Sequence, residues 1–129
     1  MSEKKAYMIF NWMTVGLIAT IFGYAMFYES AHFGLSCPYS AKGIPCPTCG
    51  LTRSFKQMLL LNYEGAVEFN ATGVKIFLFL AAALLTRFLC NFLISKKDSF
   101  SKRLLFLDIA LNGILFIWAF GDLWLYIIR

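Results

Sequence analysis

Three stretches of the chain are apolar almost without interruption. Residues 6–28 read AYMIFNWMTVGLIATIFGYAMFY, residues 73–94 read GVKIFLFLAAALLTRFLCNFLI, and residues 104–128 read LLFLDIALNGILFIWAFGDLWLYII. About 20 apolar residues, rising about 1.5 Å each, cover a hydrocarbon core of roughly 30 Å. Within lipid the backbone has to satisfy its own hydrogen bonds, so each stretch is predicted to be a transmembrane helix. The pattern changes in segment 29–72. It opens with ESAHFGLSCPYSAKGIPCPTCG, which carries all three prolines, Pro38, Pro45 and Pro47. Each proline fixes its own φ and pushes the preceding residue extended, while Gly43 and Gly50 permit turns, so a rigid, turn-rich knot is expected. From Leu51 the period becomes helical. Leu51, Phe55, Met58, Leu59 and Asn62 follow at i, i+4, i+7, i+8 and i+11, with Thr52, Arg53, Ser54, Lys56 and Gln57 between them. That spacing predicts an amphipathic helix of about three turns, too short to span and placed to lie at the membrane interface. Tyr63 to Phe69 add a further turn, and Asn70, Thr72 and Gly73 end it before the second span.

Composition agrees with this pattern. Hydrophobic residues make up 60% of the 129 residues and charged residues 15%, against about 45–50% and about 25% in a soluble domain. A soluble globule of this length could not bury so much apolar surface, and disorder requires the opposite balance. The expectation is a single all-α integral membrane domain over residues 1–129, with three transmembrane helices, one short interfacial helix and a Cys/Pro/Gly-rich capping loop. Tyr24-Ala-Met-Phe-Tyr-Glu-Ser is a poor cleavage site, so the first span reads as an anchor rather than a signal peptide.

The net charge of +5 is unevenly placed. Lys4 and Lys5 precede the first span, and Lys96, Lys97, Lys102 and Arg103 crowd the link between the second and third. Segment 29–72 mixes Lys42, Arg53 and Lys56 with Glu29, Glu64 and Glu68. Basic residues beside spans stay in the cytoplasm. The N-terminus and loop 95–103 are therefore expected inside, and segment 29–72 and the C-terminus outside. The bilayer is the first expected partner, with another membrane or envelope protein, or a second copy, as the next. The charge is too scattered for a nucleic-acid footprint, and no such partner is expected.

Three of the four cysteines, Cys37, Cys46 and Cys49, lie in the loop. One reading is a disulfide staple, Cys37 with Cys46 or Cys49, worth roughly 2–4 kcal/mol; it leaves one loop cysteine over. A second is zinc, the one cofactor considered: Cys46-Pro47-Thr48-Cys49-Gly50 has the form of a single knuckle, with Cys37 as a third ligand and His32 as a fourth. A strong zinc signal would carry a second C-x-x-C, which is absent. A third is thiol–disulfide exchange at Cys46 and Cys49, the candidate catalytic pair. Their C-x-x-C opens into a helix whose dipole favours thiolate, although no βαβ pattern surrounds it. Cys90, within the second span, reads as a small buried apolar residue.

The loop resembles the small bacterial membrane proteins grouped as the domain of unknown function 2752 family. The shared residues are Cys37-Pro38, Gly43, Pro45-Cys46-Pro47, Cys49-Gly50 and Thr52-Arg53, then Ala66 and Asn70. The family usually has proline where this chain has Ala71. The resemblance implies a bacterial plasma-membrane protein and carries over no activity. Thr52 and Arg53 beside the cysteines point either to bracing of the loop or to contact with lipid headgroups.

Polar residues interrupt the spans in register. Arg87 and Asn91 are i, i+4 on the second span, and Asp108 and Asn112 are i, i+4 on the third. Their depths agree to within about a turn, so an Arg87–Asp108 pair ringed by Asn91 and Asn112, with Asn11 from the first span, would keep both charges out of lipid. Lys75 and Asp122 match in depth nearer the opposite end. Tyr7 and the tryptophans, by contrast, read as interface anchors. Gly16, Ala19, Thr20 and Gly23 place small residues along one side of the first span, which permits close helix approach within the chain or in a dimer. No nucleotide loop or Ser/His/acid set is present. The functional expectation is a non-catalytic accessory or interaction subunit of the envelope. A membrane thiol oxidoreductase and a zinc-stabilised cap are the alternatives.

Overall fold

The computed structural model describes residues 2–27, 42–43, 46, 48–96 and 102–128. The protein is all-α over these residues. Helix α1 spans Glu3–Phe27, α2 Leu51–Leu59, α3 Tyr63–Phe69, α4 Ala71–Lys96 and α5 Lys102–Ile128. Helices α1, α4 and α5 are each long and apolar enough to cross a membrane. Each runs past its apolar stretch into charged residues: Glu3 to Lys5, Lys96, and Lys102 with Arg103. Lipid limits the apolar length, not the helix, and the charged flanks are themselves good helix formers.

Helix α4 is the hub and packs against α1, α2, α3 and α5. At the end that bears α2 and α3, Phe55 of α2 is buried between Ala25 of α1 and Ile76 of α4. Phe22 and Phe77 stack there at 4.9 Å, and Phe55 meets both rings edge-on. Helix α5 joins α4 through Phe79, which meets Phe116 and Phe120 at 5.8 and 6.0 Å. At the other end Tyr7, Cys90 and Ile94 form a second cluster with Met8, Leu104 and Leu105.

The short helical region departs from the expected outline. It is not one helix with a further turn: α2 ends at Leu59 and α3 begins at Tyr63. Leu61 between them is left-handed, with φ 60. Its N–H bonds to Met58 O and that of Asn62 to Gln57 O, the paired closure that ends many helices. The chain then turns back, so α2 and α3 form a helical hairpin. Ser54, placed on the polar side by spacing alone, is fully buried. It sits where α2 crosses α4, and a Cβ at Gly73 would come within 2.9 Å of its Oγ. Two residues too small to hold the helices apart set this crossing. Thr72 and Gly73 lie inside α4, which leaves Asn70 as the break between α3 and α4. Along α1, a Cβ on Gly16 or Gly23 would meet nothing within 4 Å. The small-residue side of α1 is therefore not used for packing among the described residues.

Candidate functional site

The turn from Thr48 to Gly50 is held in a clasp built by α2, α3 and the head of α4. Gly50 immediately precedes α2 with φ 79, a left-handed conformation that suits glycine. Its α-carbon is pressed so closely on α3 that a Cβ would lie 2.6 Å from the Phe69 carbonyl oxygen. Asn70 joins three segments. Its side-chain N–H donates to the Cys49 carbonyl at 2.9 Å, its Oδ1 accepts from Gly73 N–H at 2.8 Å, and its own carbonyl accepts from Ser54 Oγ at 3.1 Å. The bond from Gly73 is a helix N-cap, so Asn70 starts α4 as well as holding the turn of Cys49. Ala71 is then the first residue of α4, a position where proline is favoured because its N–H has no helical partner. The cap on Asn70 fixes this start without proline.

Cys46 and Cys49 are both half-buried, and Cys46 Sγ lies 3.3 Å from Thr48 Oγ1. No disulfide joins Cys46, Cys49 or Cys90 to one another. Among the described residues no group of three or more His, Cys, Asp or Glu is placed to hold a metal. The proposed third and fourth zinc ligands, Cys37 and His32, lie outside the described residues, as does Cys37 in its role as a staple partner. Thr52 is half-buried on the first turn of α2. The Arg53 guanidinium lies over the Phe69 ring, 6.0 Å from its centroid. Among the described residues, Gly50, Ser54 and Asn70 hold the turn at Cys49.

The family described as Protein of unknown function (DUF2752) matches residues 37–84. Over this segment the chain is similar to that family. The matched residues take in Cys46 and Cys49, the α2–α3 hairpin and the first half of α4, so the clasp lies wholly among them. No curated protein and no solved structure matches the chain. Gly50 and Asn70, two of the residues that carry the resemblance, meet at this one contact.

Asn70 provides a graded test. Asn70→Ala removes a helix cap and strands the Cys49 carbonyl, and is expected to lower stability by about 1–3 kcal/mol. Asn70→Asp keeps the cap but not the donor to Cys49, so it should recover only part of the loss. Thermal unfolding in detergent checks this; an Asn70→Asp variant as stable as wild type would show that the bond to Cys49 contributes nothing.

A second polar constellation ties the three spans together at the opposite end from the clasp. Arg87 Nη1 bonds Asp108 Oδ2 and also donates to Asn11 Oδ1 at 3.0 Å. Asn11 in turn donates to Asn91 Oδ1 at 3.0 Å, and Asn112 donates to Asp108 Oδ1 at 2.9 Å. Asn11, Arg87, Asn91 and Asp108 are all buried. The sequence reading missed Tyr7, whose hydroxyl donates to Asp108 Oδ2 at 2.8 Å. The available signal was its spacing: Tyr7 and Asn11 are i, i+4 on one face of α1, the pattern already visible at Arg87/Asn91 and Asp108/Asn112. Lys75 and Asp122 pair at 2.6 Å and stay partly exposed.

Proposed function

We propose that this protein is a non-catalytic accessory or interaction subunit of the bacterial plasma membrane, whose cysteine-bearing cap meets a partner protein outside the cell. Lys4, Lys5, Lys96, Lys97, Lys102 and Arg103 support a cytoplasmic N-terminus and α4–α5 link, with the cap and the C-terminus on the extracytoplasmic side. The observation that carries the reading is the clasp. Asn70 and Gly50 hold the turn at Cys49 against α3 and the head of α4, so Cys49 is presented in a fixed setting. A pre-shaped turn loses little entropy on binding, which favours recognition. A second reading, a membrane thiol oxidoreductase using Cys46 and Cys49, is supported by their half-exposed position in the turn that leads into α2.

A photo-crosslinking amino acid at Lys42, an exposed site in the cap, distinguishes the two. A single protein adduct of constant mass is expected in native membranes, unchanged by reductant and by Cys46→Ser or Cys49→Ser. Adducts that vanish with either serine variant would favour thiol exchange. The absence of any discrete adduct would count against a partner.

A further inference from the structure

The α2–α3 hairpin has a second side, which the clasp does not use. Arg53, Lys56, Gln57 and Leu60 follow at i, i+3, i+4 and i+7 and so share one face of α2. The opposite side buries Phe55 against α1 and α4. Between α2 and α3 lies an open cleft of about 180 Å³, lined among the described residues by Arg53, Lys56, Gln57 and Phe69. Every polar side chain in this lining can donate hydrogen bonds. The Arg53 guanidinium rests over the Phe69 ring, which orients its donor fork. Gln57 accepts from Asn62 Nδ2 at 2.9 Å through Oε1, which leaves its amide N–H groups as donors. A guanidinium fork and an amide donor on an aromatic floor suit an oxyanion, and a phosphate diester matches both the charge and the planar fork.

The tip of the same hairpin is apolar and strained. Leu61 stands at φ 60, at the position after a helix where glycine is usual. A left-handed conformation costs a residue with a Cβ about 1–2 kcal/mol. The Leu61 side chain is 93% exposed, so its packing among the described residues offsets little of that cost. Leu60 and Tyr63 beside it are 54% and 61% exposed. Residues held in an unfavourable conformation with their side chains fully outward point to a contact beyond the chain. The three spans put a bilayer beside this hairpin, and tyrosine is favoured where acyl chains meet headgroups. A soluble phosphate would have no use for the leucines.

We infer that the α2–α3 hairpin binds an anionic glycerophospholipid, with its phosphate in the Arg53–Lys56–Gln57 cleft and Leu60 and Leu61 among the acyl chains. The site does not depend on which leaflet faces the cytoplasm, nor on the chemistry of the cysteines.

Native mass spectrometry of the full-length protein in detergent, titrated with phosphatidylglycerol, phosphatidylcholine or inorganic phosphate, tests the inference. Phosphatidylglycerol is expected to be retained over phosphatidylcholine, and inorganic phosphate should not displace it. Arg53→Gln with Lys56→Gln should weaken retention about tenfold, as loss of a charge-assisted bond implies. Leu61→Gly is the sharper variant. It relieves the backbone conformation, so thermal stability should hold or rise while lipid retention falls. Equal retention of the two lipids, or retention unchanged in either variant, would overturn the inference. Displacement by inorganic phosphate alone would show an anion site with no lipid component, and would overturn it too.

Discussion

Replacing Arg87 with leucine is expected to destabilise the protein by about 3–5 kcal/mol, more than replacing Arg87 and Asp108 together. Arg87 is 9% exposed and Asp108 6%, so neither carboxylate nor guanidinium has water to fall back on. Removing the arginine leaves a carboxylate whose remaining partners, Tyr7 and Asn112, are neutral donors. Hydrogen bonds from neutral groups do not balance a buried charge. Removing both residues abolishes the charge and leaves unmet polar groups, each a smaller loss. The Tyr7 hydroxyl then lacks its acceptor, so adding Tyr7→Phe to the double variant should recover part of the remaining loss. Unfolding of purified protein in mixed detergent micelles, with helicity as the readout, gives the comparison. Equal losses for the single and double charge variants would mean that the pair contributes no mutual stabilisation.

Gly50→Ala is expected to damage the cap more than the same change at Gly43. Both glycines have positive φ, 79 and 66, so alanine at either loses about 1–2 kcal/mol from conformation alone. They differ in what the new methyl meets. At Gly43 there is nothing within 4 Å, whereas at Gly50 the Phe69 carbonyl lies at 2.6 Å. That carbonyl is backbone, and the next residue, Asn70, is tied to both Cys49 and Gly73. Relief would separate α2 from α3 and break the clasp. Limited proteolysis should therefore cut the Gly50→Ala cap well before the Gly43→Ala cap, with the α4–α5 pair protected in both. Equal protease sensitivity would show that the close approach at Gly50 carries no structural weight.

How far the sequence disclosed all this depended on the kind of contact. The spans were legible because lipid imposes one length and one composition on any helix that crosses it. The Arg87–Asp108 approach could be anticipated because both residues are costly in lipid and similar in depth. Tyr7 was hidden because a tyrosine near a helix end has an ordinary explanation as an interface anchor, which masked its shared face with Asn11. The clasp was harder still. Asn70 acts through Cys49, twenty-one positions away, and no periodicity encodes a contact between a side chain and a distant carbonyl. Ser54 was assigned to the wrong side because polarity was used where size decided, at the crossing with Gly73. The break at Leu61 was invisible for a simpler reason: leucine is a good helix former, and its left-handed backbone runs against its own preference.

The bond from Tyr7 to Asp108 bridges 101 positions, nearly the whole chain. Helix α1 thus carries a hydroxyl whose acceptor on α5 is translated well after it, and Asn11 likewise waits for Arg87 and Asn91. The polar seam between the helices can close only after α5 has been made. Until then α1 must be accommodated, by lipid or by the insertion machinery, as a membrane segment with unmet needs.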